Sequence, residues 1–173
     1  MEGTVLDFHP VVRQVIVVTP ASVETDGEVS RVEVTLDGHE VGPPAHIHPG
    51  QKEFYNVIEG ELTVKLGRER RVLGPGDDIE VPVGAVHTFA NRSDVPVKFI
   101  AEHRPALRFD QYITKVHAIA TGPNGGSRKP TTLLRIIRAE SSYPETIRPP
   151  VGMPRLVVGG LNTVGRLLGY PAG

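Results

Sequence analysis

From Glu28 to Arg104 the chain carries no helical periodicity, only short runs separated by turn signals. Val32, Val34 and Leu36 alternate with Arg31, Glu33 and Thr35, the period-2 pattern of a half-buried strand that ends at the Asp37-Gly38 turn. Residues 53–58 and 61–66 flank Glu59-Gly60 as a hairpin, and 70–73 follows the turn at Gly67-Arg68. Gly74-Pro75-Gly76-Asp77 forms the next turn, residues 79–81 and 86–90 flank Pro82-Val83-Gly84, and 96–103 closes the series. So many short, evenly spaced strands predict an all-β barrel or sandwich. The 19 glycines and 16 prolines suit that number of turns. Two further strands are expected upstream, over 4–8 and 13–19, and the continuous apolar run Val15 to Val18 suggests cover on both faces.

Within this frame sits a cluster of metal-ligand residue types. In an extended segment His46 and His48 project to the same side with Cα atoms roughly 6.6 Å apart, close enough for two imidazoles to share one ion. Pro49 and Gly50 break the strand, so the chain can turn and return with Glu53 facing the same point. His87 follows a second turn that can throw it back onto the same interior. The chain has no cysteine, so thiolate ligation and disulfides are excluded, and a metal would be left to imidazole and carboxylate.

The spacing of these residues resembles the cupin superfamily. Its first motif reads here as His46-x-His48, four residues, Glu53, six residues, Gly60, and its second as Gly76, five residues, Pro82-x-Gly84, two residues, His87, three residues, Asn91. Where the family usually carries a glycine six positions before the first histidine, this chain has Glu40, with Gly42 nearby. The resemblance covers roughly residues 28 to 104. It implies a mainly β protein, a double-stranded β-helix (jelly-roll) barrel, holding one divalent transition metal through His46, His48, Glu53 and His87. The tail ending Gly165-Arg166-Leu167-Leu168-Gly169-Tyr170 is similar to a helical extension carried by a bacterial subgroup of the family.

Three neutral imidazoles and one carboxylate suit Fe, Mn, Ni, Co, Cu or Zn without discriminating among them. Four protein ligands around a six-coordinate ion leave two positions for substrate, water or dioxygen, a catalytic type of site. The leading expectation is a metal-dependent enzyme on a small organic molecule held in the barrel, with an oxygenase foremost. Tyr55 shares the face of Glu53 by parity, and its hydroxyl makes it the candidate catalytic group. Phe54, Val57, Phe89 and Phe99 are further candidates for the cavity wall, with plain core packing the simpler role for each. His9, His39 and His117 are expected on the surface; His103, at the end of the last barrel strand, could support the ligands from behind, with solvent exposure the favoured reading.

At Pro105 the pattern changes. Phe109, Ile113, Val116 and Ala120 recur at helical spacing, which predicts a helix over 108–121 ended by Gly122-Pro123. Residues 124–130 read as a loop, 133–139 as a second helix, and 141–154, with four prolines, as an extended segment. Val157, Leu161, Val164 and Leu168 make the stripe of an amphipathic helix, too short to span a bilayer. The chain therefore divides into a barrel with its N-terminal strands over 1–104 and a helical C-terminal extension over 105–173.

The net charge of −1 hides an asymmetry: residues 1–103 carry 9 Lys/Arg against 17 Asp/Glu, and residues 104–173 carry 10 against 3. Docking of the basic extension on an acidic barrel, its own or that of a second subunit, is favoured over contact with a membrane. A homodimer is expected. No nucleic-acid partner is, because no aromatic residues interleave the dispersed basic ones. Residues 1–10 show no basic and apolar leader pattern, so a cytoplasmic location is expected. Two other functions fit the same sequence: a non-catalytic small-molecule binding or sensor protein, and a scaffold whose basic tail meets a membrane or partner.

Overall fold

The computed structural model describes residues 3–9, 11–123, 125 and 130–150. Nine strands run β1 (Thr4–Asp7), β2 (Gln14–Val18), β3 (Ser30–Leu36), β4 (Lys52–Glu59), β5 (Leu62–Leu66), β6 (Glu69–Leu73), β7 (Asp78–Val81), β8 (His87–Ala90) and β9 (Val97–Arg104). They form two antiparallel sheets, one of six strands in the order β1-β2-β3-β9-β4-β7 and one of three in the order β6-β5-β8. Isolated bridges from Val41 to Ala90 and from His46 to His87 lay residues 41–46 alongside β8 as a further edge of the smaller sheet. This is the mainly β jelly roll expected from the sequence.

Alternation decides what each strand buries. In β3, Val32, Val34 and Leu36 are buried, and in β9 Val97, Phe99 and Ala101 lie under them on the same side. Tyr55 and Val57 of β4, Leu62 and Val64 of β5, and Phe89 of β8 meet them from around the interior. Tyr55, Phe89 and Phe99 pack edge to face, with centroids 5.2–5.7 Å apart. Burying each such aliphatic side chain stabilises the fold by about 1.5–3 kcal/mol. The strand β2 departs from the sequence expectation of cover on both faces: Gln14, Ile16 and Val18 are buried, while Val15 and Val17 are only half-buried.

Three helices complete the described chain: α1 (Ala21–Glu24), α2 (Phe109–Thr121) and α3 (Pro130–Glu140). The single turn of α1 was not expected, since four residues after Pro20 are too few to show a period. The helix α2 turns Phe109, Tyr112, Ile119 and Ala120 inward and stops at Gly122. Its Asp110 accepts hydrogen bonds from the hydroxyls of Ser22 and Ser30, the latter at 2.5 Å, which ties α2 to α1 and β3.

Residues 141–150 correct the expectation of an extended tail segment. They fold as turns, with the Thr146 and Ile147 amides both bonded to the Tyr143 carbonyl, and then pair Arg148 with Ile47. Proline at 144 is compatible with a turn as well as with extended chain. The amphipathic stripe Val157 to Leu168 lies outside the described residues, as does most of the loop expected at 124–130. Among the described residues, no helix is long and apolar enough to cross a membrane.

Candidate metal centre

Two turns and two strands deliver the site. The segment Ala45 to His48 is held to the start of β8 by reciprocal hydrogen bonds between the backbones of His46 and His87, each 3.0 Å. A second strap runs from the Gly84 amide to the His48 carbonyl, 3.0 Å, with Gly84 at φ +73°, a conformation that favours glycine. Gly42 supplies another requirement of the same region, because a Cβ there would lie 2.4 Å from the Phe89 ring. Glu53, at the start of β4, sits between Val81 of β7 and His103 of β9.

One ligand atom from each of His46, His48, Glu53 and His87 can be chosen so that all four lie within 4.8 Å of one another, and all four residues are buried. The His46 ring centroid is 5.0 Å from that of His48 and 4.3 Å from that of His87. Glu53 Oε2 lies 2.8 Å from His87 Nε2 and 3.4 Å from His48 Nε2.

The outward nitrogens settle the tautomers. His46 Nδ1 is 2.9 Å from the Pro44 carbonyl, His48 Nδ1 is 2.5 Å from that of Thr146, and His87 Nδ1 is 3.0 Å from that of Ala85. A carbonyl only accepts, so each Nδ1 carries a proton and each Nε2 is turned to the centre, where its lone pair would serve a cation. His48 Nε2, His87 Nε2 and Glu53 Oε2 are buried without a hydrogen bond. Unpaired buried acceptors are costly, and a cation among them removes the cost. The donor set fits one divalent metal ion.

The charges agree with this. Burial, reinforced by the neighbouring His87 and His48, pushes the His46 imidazole down to about 3, so it is neutral and free to ligate. Burial opposes ionisation of Glu53, but His103 and the other two imidazoles outweigh it and hold the carboxyl well below its usual range. Burial also works against protonation of His87, and the contact with Glu53 overrides it and raises that group.

The C-terminal extension covers this centre. Thr146 lends its carbonyl to His48, the Gly50 amide bonds to the Glu145 carbonyl at 3.0 Å, and Ile47 and Arg148 exchange backbone hydrogen bonds. Gln51, fully buried, donates from Nε2 to the carbonyls of Pro105 and Ala106, both at 2.8 Å. Backbone pairing and apolar burial therefore hold the described part of the extension on the barrel.

Tyr55 lies inside as parity required. Its hydroxyl is buried without a hydrogen bond, and burial together with the Glu53 charge holds it well above the ordinary phenol value. Phe54 corrects the expectation of a wall residue: it faces outward under the Arg104 guanidinium, 5.4 Å away. Val57, Phe89 and Phe99 are core residues.

His103 is the larger correction. Expected at the surface, it is fully buried, with Nε2 3.2 Å from Glu53 Oε1 and its ring stacked on Phe109. The alternation of β9 carried the signal: Val97, Phe99, Ala101 and His103 share one parity, and the first three are apolar. Of the other three histidines, His9 and His39 are exposed, and His117 is half-buried against Phe8 with Nε2 2.9 Å from the Asp7 carbonyl.

A jelly roll that turns three imidazoles and a carboxylate to one point defines a β class with a candidate metal site. Residues 32–101 match the family model described as "Cupin domain", and this stretch of the chain is a cupin domain. It is similar to the probable oxidoreductase virH of Hypocrea virens, 39% identical over 66 residues, 35% of this chain and 30% of that protein. It is also similar to the probable oxidoreductase patJ of Penicillium expansum, 38% identical over 56 residues, 32% of this chain and 17% of that one. The matched stretches thus span less than a third of those curated relatives. Among solved structures, an RmlC-like cupin from Shewanella frigidimarina is 21% identical, with a TM-score of 0.49 over 60% of this chain and 85% of that one.

Proposed function

We propose that the chain is a metal-dependent oxidoreductase that acts on a small organic molecule, with dioxygen as the second substrate. The observation that carries this reading is the set of three Nε2 atoms, fixed by backbone carbonyls, converging with Glu53 Oε2. The oxidoreductase names of the two fungal relatives support the reaction class. A bound redox-active divalent metal supplies Lewis acidity and one-electron chemistry towards dioxygen.

The residues of the chain have definable parts in this. His46, His48 and His87 hold the ion as neutral ligands, and Glu53 adds one negative charge. Tyr55, two residues along the same face, offers an unpaired hydroxyl to a substrate oxygen. Phe89 and Phe99, packed on Tyr55, and Val57 are core on that side and keep water out of it. His46, the most exposed of the four ligands at 8%, marks the side nearest solvent, from which a molecule chelating through two oxygens would approach.

The test is elemental analysis of untagged protein purified without chelator, followed by oxygen-electrode assays with chelating dicarbonyl and catechol-type compounds on protein loaded with Fe(II), Ni(II) or Cu(II). Near-stoichiometric metal with substrate-dependent oxygen uptake is expected. Absence of metal after each ion has been offered overturns the centre. Metal with tight small-molecule binding but no oxygen uptake favours a sensor that uses the same enclosed site, a reading motivated by the burial of all four ligands.

A further inference from the structure

We propose that His103 is a positioning residue of the metal centre: it holds the outer oxygen of Glu53 and so restricts that carboxylate to one oxygen on the ion. The inference rests on the metal centre argued above and adds to it a residue outside the ligand set.

The geometry divides the two oxygens of Glu53. Oε2 faces the ligand nitrogens, 2.8 Å from His87 Nε2 and 3.4 Å from His48 Nε2. Oε1 faces the other way, 3.2 Å from His103 Nε2. Register explains the placement, since Glu53 and His103 are directly opposite across β4 and β9 and their side chains emerge on the same face. His103 is fully buried, and neither of its ring nitrogens has a hydrogen bond in good geometry, so Oε1 is the acceptor within reach of Nε2.

The ring is also constrained. Phe109, the first residue of α2, stacks on it with centroids 3.5 Å apart and planes 20° from parallel. An imidazole clamped in that way cannot swing towards the ion without losing the stack. Its role is then that of the partners that commonly orient metal-bound carboxylates and imidazoles. A Glu53 freed from His103 could rotate and chelate through both oxygens, filling a coordination position that substrate or dioxygen would otherwise use. The extension after Pro105 thereby contributes to the centre through Phe109 without supplying a ligand.

The experiment uses Co(II) as the probe with the full-length chain, reading affinity by competition with a chromophoric chelator and geometry from the visible d–d bands. His103→Leu is expected to weaken Co(II) binding roughly 10- to 100-fold and to change the band intensities. His103→Gln, whose amide can donate at similar reach, is expected to recover most of the affinity and the wild-type spectrum. His103→Leu that matches wild type overturns the proposal, and so does His103→Gln that is no better than His103→Leu, because packing alone would then explain the residue. Pulsed electron paramagnetic resonance of the Cu(II)-loaded wild type gives a result independent of variant folding. Three coordinated imidazoles are expected, and a fourth overturns the proposal by making His103 a ligand. A wild-type chain that takes up neither metal overturns the metal centre itself, an outcome distinct from the others.

Discussion

Glu53 and His103 face each other across β4 and β9, and each reaches past the pair to something the other does not touch: Glu53 to His87 and His48, His103 to Phe109. One cross-strand pair therefore joins the ligand set to the first turn of the C-terminal extension. It also places the single carboxylate of the centre where four imidazoles surround it, so its charge would be the main electrostatic compensation for a cation bound there.

The ligand substitutions follow from that arrangement. His87→Ala and Glu53→Ala should each lower metal affinity by more than the roughly 10- to 100-fold typical of outer partners, while circular dichroism remains that of a β-rich fold. Both residues lie at strand ends, so the sheets do not depend on them for their apolar cores. Metal analysis after gel filtration reads the result, and a variant that retains full metal would contradict the ligand set.

Metal uptake should depend on pH in a direction that the site fixes. Although burial opposes it, Glu53 raises the His87 pKa above the usual imidazole value of 6.5, so the metal-free protein favours a proton between Nε2 and Oε2, 2.8 Å apart. An incoming cation must displace it. Affinity should therefore rise by about tenfold for each pH unit while that proton is present and level off once pH exceeds the raised value. Titrations with Co(II) across pH 5.5 to 9 would show this, and a flat profile would argue against the shared proton.

The strands and three of the inward imidazoles were legible in the sequence because both rest on local patterns. Alternation at Val32, Val34 and Leu36 and the turns at Gly60, Gly76 and Gly84 set the registers that carry Glu53 and His87 inward. What could not be read was decided by tertiary packing. His103 ends a strand, where exposure is the ordinary outcome, and it is covered only because Phe109 arrives from the following helix. Residues 141–150 carry prolines compatible with either turn or extended chain, and they turn because Ile147 finds a buried position while Arg148 finds the backbone of Ile47. Phe54 was within reach of parity: Glu53 and Tyr55 point in, so their neighbour points out.

The strap over His48 gives a prediction about exchange. Ile147→Ala removes a buried side chain from the segment whose Thr146 carbonyl orients His48. A cost of about 2–4 kcal/mol is expected, concentrated in local opening of residues 143–148. Metal dissociation into excess chelator should accelerate at least tenfold, by about 1.4 kcal/mol of that cost. Unchanged release with faster amide exchange in the segment would mean that opening there does not expose the ion.

Tyr55 separates stability from function. Its hydroxyl is buried without a well-formed hydrogen bond and has only the Glu53 carboxylate within reach, so Tyr55→Phe should change stability by no more than about 1 kcal/mol. Metal content should not change, since Tyr55 is not among the four ligands. If the hydroxyl meets substrate, turnover falls or KM rises in a protein that melts close to wild type. Equal turnover would assign Tyr55 to the core alone.

Glu140, the last residue of α3, provides a test outside the candidate ligand set. Partial burial raises its carboxyl to about 7, above the 4.5 of a free glutamate. The folded state therefore binds a proton more tightly than the unfolded state. Its contribution to stability is fully present below pH 4.5, declines as pH rises, and has been lost once pH passes about 7. Allowing for its partial exposure, the cost at pH 8 is at most ~2 kcal/mol. Glu140→Gln holds the neutral form at every pH, so its melting temperature should exceed wild type by a few degrees at pH 8 and coincide with it near pH 4.5. Thermal melts of metal-free protein at both pH values decide the matter, and an equal shift at both would show that the substitution acts through packing or helix propensity instead of charge.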